Sequence, residues 1–265
     1  MKRYVRNKVY AGVYIDNSGK LKINSTKDKM HRDLILFNQN TSGKLWVGSV
    51  PIIYGYQYNL NCDQKDYVKF RKLIKHPNSI EHLDEFIERG VLHMDQFVPL
   101  DEFDIIIRIK PTSRPSILDN ILVCLLDHVS HHTVTLELIK QTYEHVKFDA
   151  DQAIRDMIAA GFDEDYAYTQ VGDMNILFEN LKAKNELFQM KRFLPRVLRA
   201  NFSNYLKFET EQEKQLYMDL QGKNVLIYDD FLTSGATLKE ASRYLTAINP
   251  TNTLTCFVLI QQNNK

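Results

Sequence analysis

The chain has 265 residues, 44% of them hydrophobic and 25% charged, the proportions of a globular protein with enough apolar side chains for a sizeable core. On the rough scale of ~100–200 residues per domain it holds one large domain or two smaller ones. Its 34 basic and 33 acidic residues leave a net charge of +1, which gives no general electrostatic attraction to nucleic acid or to a membrane surface.

The N-terminal stretch MKRYVRNKVY lacks the apolar run of a signal peptide, and nowhere do apolar residues run on for the ~18 positions of a membrane span. A cytoplasmic protein without a membrane partner is expected. Lys8–Ile15 and Lys20–Ile23 flank Asp16-Asn17-Ser18-Gly19, a turn sequence that predicts a β-hairpin. Leu34–Phe37 and Leu45–Tyr58 repeat the plan around Asn38–Lys44. Tyr54, Tyr56 and Tyr58 alternate, which predicts three rings on one face of a strand; such a stripe suits a half-buried sheet better than base stacking. Helical spacing follows in Tyr67, Phe70, Ile74 and again in Ile80, Leu83, Phe86, Ile87, with His76-Pro77-Asn78 between the two helices. Residues 1–95 thus form a β-rich N-terminal domain or hood with two helices, and residues 96–265 an α/β domain.

In the second part, Phe103–Ile109 (FDIIIRI) is a buried strand that runs into Lys110-Pro111-Thr112-Ser113-Arg114-Pro115, and Ser116–Val129 is a buried helix. Strand, short polar loop and helix are the repeating unit of a parallel α/β sheet. Residues 133–184 form an inserted, partly helical segment in which Gly161 closes a helix and Asp163, Glu164 and Asp165 start another. His128, His131 and His132 have no Asp, Glu or Cys at ligand spacing and are not assigned to a metal. Cys62, Cys124 and Cys256 are scattered, with no C-x-x-C pair, so neither a zinc site nor a disulfide framework is indicated. Lys191–Phe208 carries Lys191, Arg192, Arg196, Arg199 and Lys207 between aromatic residues. This strip admits three roles: an anion-binding segment, a solvated helical face, or a basic and aromatic contact to nucleic acid.

The densest chemistry lies in Val225–Leu238, VLIYDDFLTSGATL. Four apolar residues end in Asp229-Asp230, and a small-residue turn, Thr233-Ser234-Gly235-Ala236-Thr237, opens into a helical run. Amides and hydroxyls at a helix N-terminus favour a phosphate. The carboxylates beside them can accept bonds from vicinal sugar hydroxyls and share a divalent cation with phosphate oxygens. There is neither a Walker A loop nor a G-x-G-x-x-G turn.

This stretch closely resembles the phosphoribosyl-pyrophosphate (PRPP) signature of type I phosphoribosyltransferases. The resemblance implies an α/β fold with a parallel sheet and flanking helices, and a Mg2+-dependent transfer of phosphoribose from PRPP to a nucleobase-like or amine acceptor. It implies that Asp229 and Asp230 hold the ribose and help place Mg2+, and that Thr233, Ser234, Gly235, Ala236 and Thr237 cradle the 5′-phosphate. By position, Lys110, Thr112, Ser113 and Arg114 correspond to the loop that takes the pyrophosphate, with Arg114 also in the catalytic set. Arg192, Arg196 and Arg199 lie where the family has a loop closing over PRPP. Arg199-Ala200-Asn201-Phe202 is a loose echo of a motif in competence-associated members. Thr233 stands where purine-salvage members carry a further acidic residue, which fits orotate-type or competence-type members. A non-catalytic PRPP- or nucleotide-binding regulator, or a competence-like accessory protein, is the alternative. A homodimer and nucleic acid remain open as partners, the latter without support from net charge.

Overall fold

The computed structural model describes residues 12–16, 18, 20–24, 35–36, 43–47, 49–58, 64–74, 83–111, 116–232 and 234–261. Three short strands come first, β1 (Gly12–Ile15), β2 (Leu21–Asn24) and β3 (Ile35–Leu36), in a sheet of order β2-β1-β3. The hairpin read from the sequence is there: β1 and β2 pair antiparallel, and the Asp16 carboxylate accepts from the Ser18 hydroxyl and the Lys20 amide across the turn. The Leu45–Tyr58 run is itself a hairpin, β4 (Gly43–Val47) and β5 (Val50–Gln57). Helices α1 (Gln64–Ile74) and α2 (Leu83–Asp95) follow.

The central sheet is completed by β6 (Ile105–Ile109), helix α3 (Ile117–Leu126) and β7 (Val134–Lys140). After an intervening subdomain come β10 (Leu206–Phe208), α6 (Glu211–Asp219), β11 (Asn224–Leu232), α7 (Ala236–Ile248) and β12 (Thr253–Gln261). That subdomain contains β8 (Lys147–Phe148), α4 (Ala150–Ala159), α5 (Glu164–Lys182) and β9 (Phe202–Ser203). The sheet order is β10-β7-β6-β11-β12-β5-β4. The five inner strands are parallel, and β10 and β4 close the edges antiparallel. This is the α/β architecture with a parallel sheet and helices on both faces that the sequence predicts.

Two expected boundaries move. A division after residue 95 would cut the sheet, because β5 pairs parallel with β12 from Ile52↔Cys256 to Gln57↔Gln261. The reason is the edge of β12: Leu254 through Gln261 are all buried, and β5 covers backbone groups that would otherwise face solvent without partners. The insertion starts after β7, not at residue 133, because β7 is a core strand with Leu136 and Leu138 buried. Its ends meet where β8 pairs with β9. Gly161 (φ +88°) follows the C-terminus of α4, and the Asp163 carboxylate caps α5 by accepting from the Tyr166 amide, both as read from the sequence.

Every residue of β6 is buried, and burying each of its four isoleucines contributes roughly 1.5–3 kcal/mol. Alternate residues feed two cores. Ile105, Ile107, Val225 and Ile227 face α7 and the inserted subdomain. Ile106, Leu226 and Tyr228 face α1, α2 and α3. The tyrosine stripe divides between them: Tyr54 packs with the first core, Tyr56 and Tyr58 with the second. The change falls at Gly55, where α2 approaches the strand most closely. A Cβ on Gly55 would lie 2.9 Å from the Gly90 Cα and carbonyl oxygen, so the two glycines permit backbone-to-backbone contact.

Gly55→Ala should therefore destabilise the protein by about 1–3 kcal/mol through overpacking against backbone that cannot yield. Gly172, exposed within α5 with nothing within 4 Å of a Cβ, should respond in the opposite sense, Gly172→Ala gaining about 0.5–1 kcal/mol. Urea unfolding of the two variants checks both signs.

Candidate functional site

The sheet order reverses direction between β6 and β11. From β6 the chain crosses through α3 to β7 on one side, and from β11 it crosses through α7 to β12 on the other. Loops leaving adjacent strands in opposite directions open a crevice at the carboxyl ends, where parallel sheets bind ligands. Lys110 follows β6, Asp229 and Asp230 lie near the end of β11, and Ser234 and Gly235 lead into α7.

Asp229 and Asp230 are half-buried in β11, between the buried runs Val225–Tyr228 and Phe231–Leu232. The Asp230 amide donates to the Asp229 carboxylate at 2.8 Å. Burial raises the Asp229 carboxyl from 3.8 to about 7; the neighbouring Asp230 charge adds to this, and Lys140 at the end of β7 opposes it. A carboxyl in that state needs a cation or hydroxyl donors to hold its charge.

Beyond the acidic pair, Ser234 is exposed, Gly235 and Ala236 are buried and Thr237 is half-buried. Gly235 takes φ +70°, ψ 0° and is the N-cap of α7. A left-handed cap suits glycine, since any Cβ is penalised there. The other caps of the sheet and insertion helices are side chains that close the first turn: Ser116 on α3, Asp149 on α4, Asp163 on α5 and Thr210 on α6. No side chain of the cap residue does so on α7. The Ala236 amide donates to the Ser234 hydroxyl at 3.4 Å. The start of α7 thus presents amides and a positive dipole end to the crevice.

Residues not singled out in the sequence hold this loop. Tyr205, buried between β9 and β10, donates its hydroxyl to the Ala236 carbonyl at 2.8 Å. Burial, then the charge of Glu240, holds its phenol well above the ordinary tyrosine range. Glu240 is buried in α7 and bonded twice to Arg243, which also donates to the Asn204 side chain at 2.7 Å. Asn204 turns the chain at φ +60°. No sequence pattern marks this set, because it joins residues far apart in the chain.

On the β6 side, Lys110 pairs with Glu209 and, at 3.5 Å, with Glu137. Arg108 pairs with Glu137 and, at 2.5 Å, with Asp119. Two signals in the sequence could have found this network: a lone cation in the apolar run Ile105–Ile109 and a lone acid inside Val134–Leu138. Thr112, Ser113, Arg114 and Thr233 lie outside the described residues.

The arginines expected to close over the ligand have partners within the protein. Arg192 pairs with Glu186 at 2.7 Å, Arg199 donates from Nε to the Phe193 carbonyl at 3.0 Å, and Arg196 is likewise engaged. The aromatic residues between them are core: Phe193 and Phe202 are buried and pack with Phe188 and Tyr205. They are not available as a base-stacking strip.

Residues 197–265 match the family model of the phosphoribosyl transferase domain. The match includes β10, β11, α7 and β12, and with them the acidic pair and the Gly235 helix start; Lys110 lies outside it. No curated protein matches the chain. No helix among the described residues is long and apolar enough to cross a membrane.

The raised Asp229 carboxyl fixes the sign of a pH effect in the matched segment. Between about 4 and about 7 the folded state holds a proton that the unfolded state releases, so Asp229 makes stability fall as pH rises through that window and level off above it. Asp229→Asn removes this contribution. Melting temperatures across pH 4–8 should show the variant gaining on the wild type up to about pH 7; parallel curves would refute the assignment.

Proposed function

We propose that this chain is a Mg2+-dependent phosphoribosyltransferase that moves the 5-phosphoribosyl group of PRPP to a nitrogen of a nucleobase-like or amine acceptor and releases pyrophosphate. The observation that carries this reading is the juxtaposition on one stretch of an acidic pair near a parallel strand end and a helix start capped by Gly235 in the left-handed region. The matched family model covers that stretch and supports phosphoribosyl transfer in general.

The 5′-phosphate would sit on the Ser234–Thr237 amides, and Thr233 would contribute beside them. Asp229 and Asp230 would accept from the ribose hydroxyls. The same two carboxylates are hard oxygen donors of the kind Mg2+ takes alongside phosphate oxygens and water, and a cation there would relieve the burial of the Asp229 charge. Bound Mg2+ would supply positive charge to the departing pyrophosphate. In the transfer, the C1′–O bond breaks with its electron pair leaving on pyrophosphate, and the acceptor nitrogen bonds C1′. The ribose passes through an oxocarbenium-like state, so the protein chiefly orients the sugar and stabilises an anion. Lys110, Thr112, Ser113 and Arg114 would take the pyrophosphate, with Arg192, Arg196 and Arg199 in the closing segment. Thr233, where an acidic residue would suit purine salvage, favours an orotate-type or competence-type member.

A PRPP- or nucleotide-binding regulator, or a competence-like accessory protein, is the second reading. The ion pairs of Lys110 and Arg192 and the hydrogen bond of Arg199 favour it, because they leave fewer cations free for a leaving group. Turnover of PRPP with a panel of bases and amines separates the two: pyrophosphate release with some acceptor supports the enzyme, and PRPP binding without release with any of them supports the regulator.

Asp229→Asn combined with Asp230→Asn should abolish PRPP binding in calorimetry while the fold persists. Undiminished affinity would sink the assignment of the acidic pair. Gly235→Val should weaken both PRPP and ribose 5-phosphate, because a branched side chain is forced into φ > 0 where the backbone meets the phosphate. Ser234→Ala should cost less, on the order of 1–3 kcal/mol for one hydroxyl bonded to a charged phosphate. Ribose without phosphate is the control and should be indifferent to both changes.

A further inference from the structure

Lys110, the described cation of the pyrophosphate loop, is not free. Its ammonium pairs with Glu209 and Glu137, and Arg108, two residues back on the same face of β6, is shared between Glu137 and Asp119. Three carboxylates therefore surround two cations among the described residues, and the cluster carries a net negative charge. An anion approaching Lys110 meets a position already taken.

Glu209 is held there by the backbone on both sides. Its amide donates to the Glu137 carbonyl at 3.1 Å. The next residue, Thr210, caps α6 in a reciprocal box with Glu213, whose carboxylate also accepts from the Glu137 amide at 3.0 Å. Edge strand, helix cap and β7 thus fix where Glu209 stands, while its side chain remains partly exposed and able to swing away. Glu137 differs: it is engaged by Arg108 as well and is more buried.

We infer that Glu209 is a competing counterion for the anion subsite at Lys110, a positioning residue that pyrophosphate must displace to bind and that re-engages Lys110 when pyrophosphate leaves. This rests on the reading of Lys110 as a pyrophosphate ligand. A charge-assisted bond from Lys110 to a diphosphate replaces one to a single carboxylate, so exchange is favourable but weakened by the bond that is lost. The device would keep product affinity low and release fast, without altering the 5′-phosphate cradle on α7.

Calorimetric titration of the full chain with inorganic pyrophosphate, and separately with ribose 5-phosphate, tests this. Glu209→Gln should bind pyrophosphate about threefold to fivefold more tightly, the scale of one partly exposed ion pair, with ribose 5-phosphate affinity unchanged. In a Lys110→Gln background the gain should vanish. Equal pyrophosphate affinity of Glu209→Gln and wild type would overturn the inference, as would a gain that persists without Lys110. If ribose 5-phosphate binds but pyrophosphate binds neither wild type nor Glu209→Gln, the pyrophosphate subsite itself falls and the inference with it.

Discussion

The ladder between β6 and β11 sets Ile105, Ile106, Ile107 and Arg108 beside Val225, Leu226, Ile227 and Tyr228. It brings together two parallel strands whose chains then leave the sheet in opposite directions. Both strands are apolar on both faces because helices cover both sides, and this allows neither to slip by one residue without exchanging its two cores. Register therefore fixes the height at which each strand ends. Lys110 leaves β6 just past Ile109, while β11 runs on through Asp229 and Asp230 before its turn. The crevice, the acidic pair and the helix start at Gly235 all follow from this one pairing.

Electrostatics at the crevice are out of balance in a way that packing alone does not require. On one side a carboxyl is pushed up by burial, with a second carboxylate next to it. On the other, among the described residues, three carboxylates pair with Arg108 and Lys110. Two acid-rich clusters at the ends of neighbouring strands are costly in a ligand-free protein. Cations and hydroxyl donors would relieve the first, and displacement of the partly exposed Glu209 side chain would relieve the second when an anion arrives. Both properties suit a ligand that brings a sugar, phosphates and a metal ion together.

The inserted subdomain bears on the site through packing. Its aromatic rings, Tyr143, Phe148, Phe178, Phe188, Phe193 and Phe202, are continuous with the core beneath the sheet. They end at Tyr205, stacked on Phe188 at 4.9 Å and bonded to the first turn of α7. Arg243 ties the Asn204 turn to the same helix. The segment from Lys191 to Tyr205 is thereby joined to the start of α7 through the Tyr205 hydroxyl.

Periodicity and local chemistry made part of this legible from the sequence. Apolar runs ending in polar loops marked β6 and β11, because a strand buried on both faces needs nothing but apolar residues and its loop must satisfy water. Thr233–Thr237 after Asp229-Asp230 marked the candidate site, because cap, turn and helix start are contiguous in the chain. The hidden part depends on contacts between distant residues. Val50–Gln57 reads as half-buried β-structure wherever it pairs, and only the open edge of β12 decided that it joins the main sheet. The alternating tyrosines predicted one face, and in the fold Tyr54 packs with one core while Tyr56 and Tyr58 pack with the other. Arg192 and Arg199 read as free cations until Glu186 and the Phe193 carbonyl were placed against them. Sequence by itself marked β6, β11 and the first hairpin as strands, and marked which turn could face a phosphate and which carboxylates stand beside it, but not β7, β10 or β12. Tertiary structure alone decided which charges are already paired, because an ion pair such as Lys110–Glu209 joins residues far apart in the chain through the geometry of a sheet edge that no local pattern encodes.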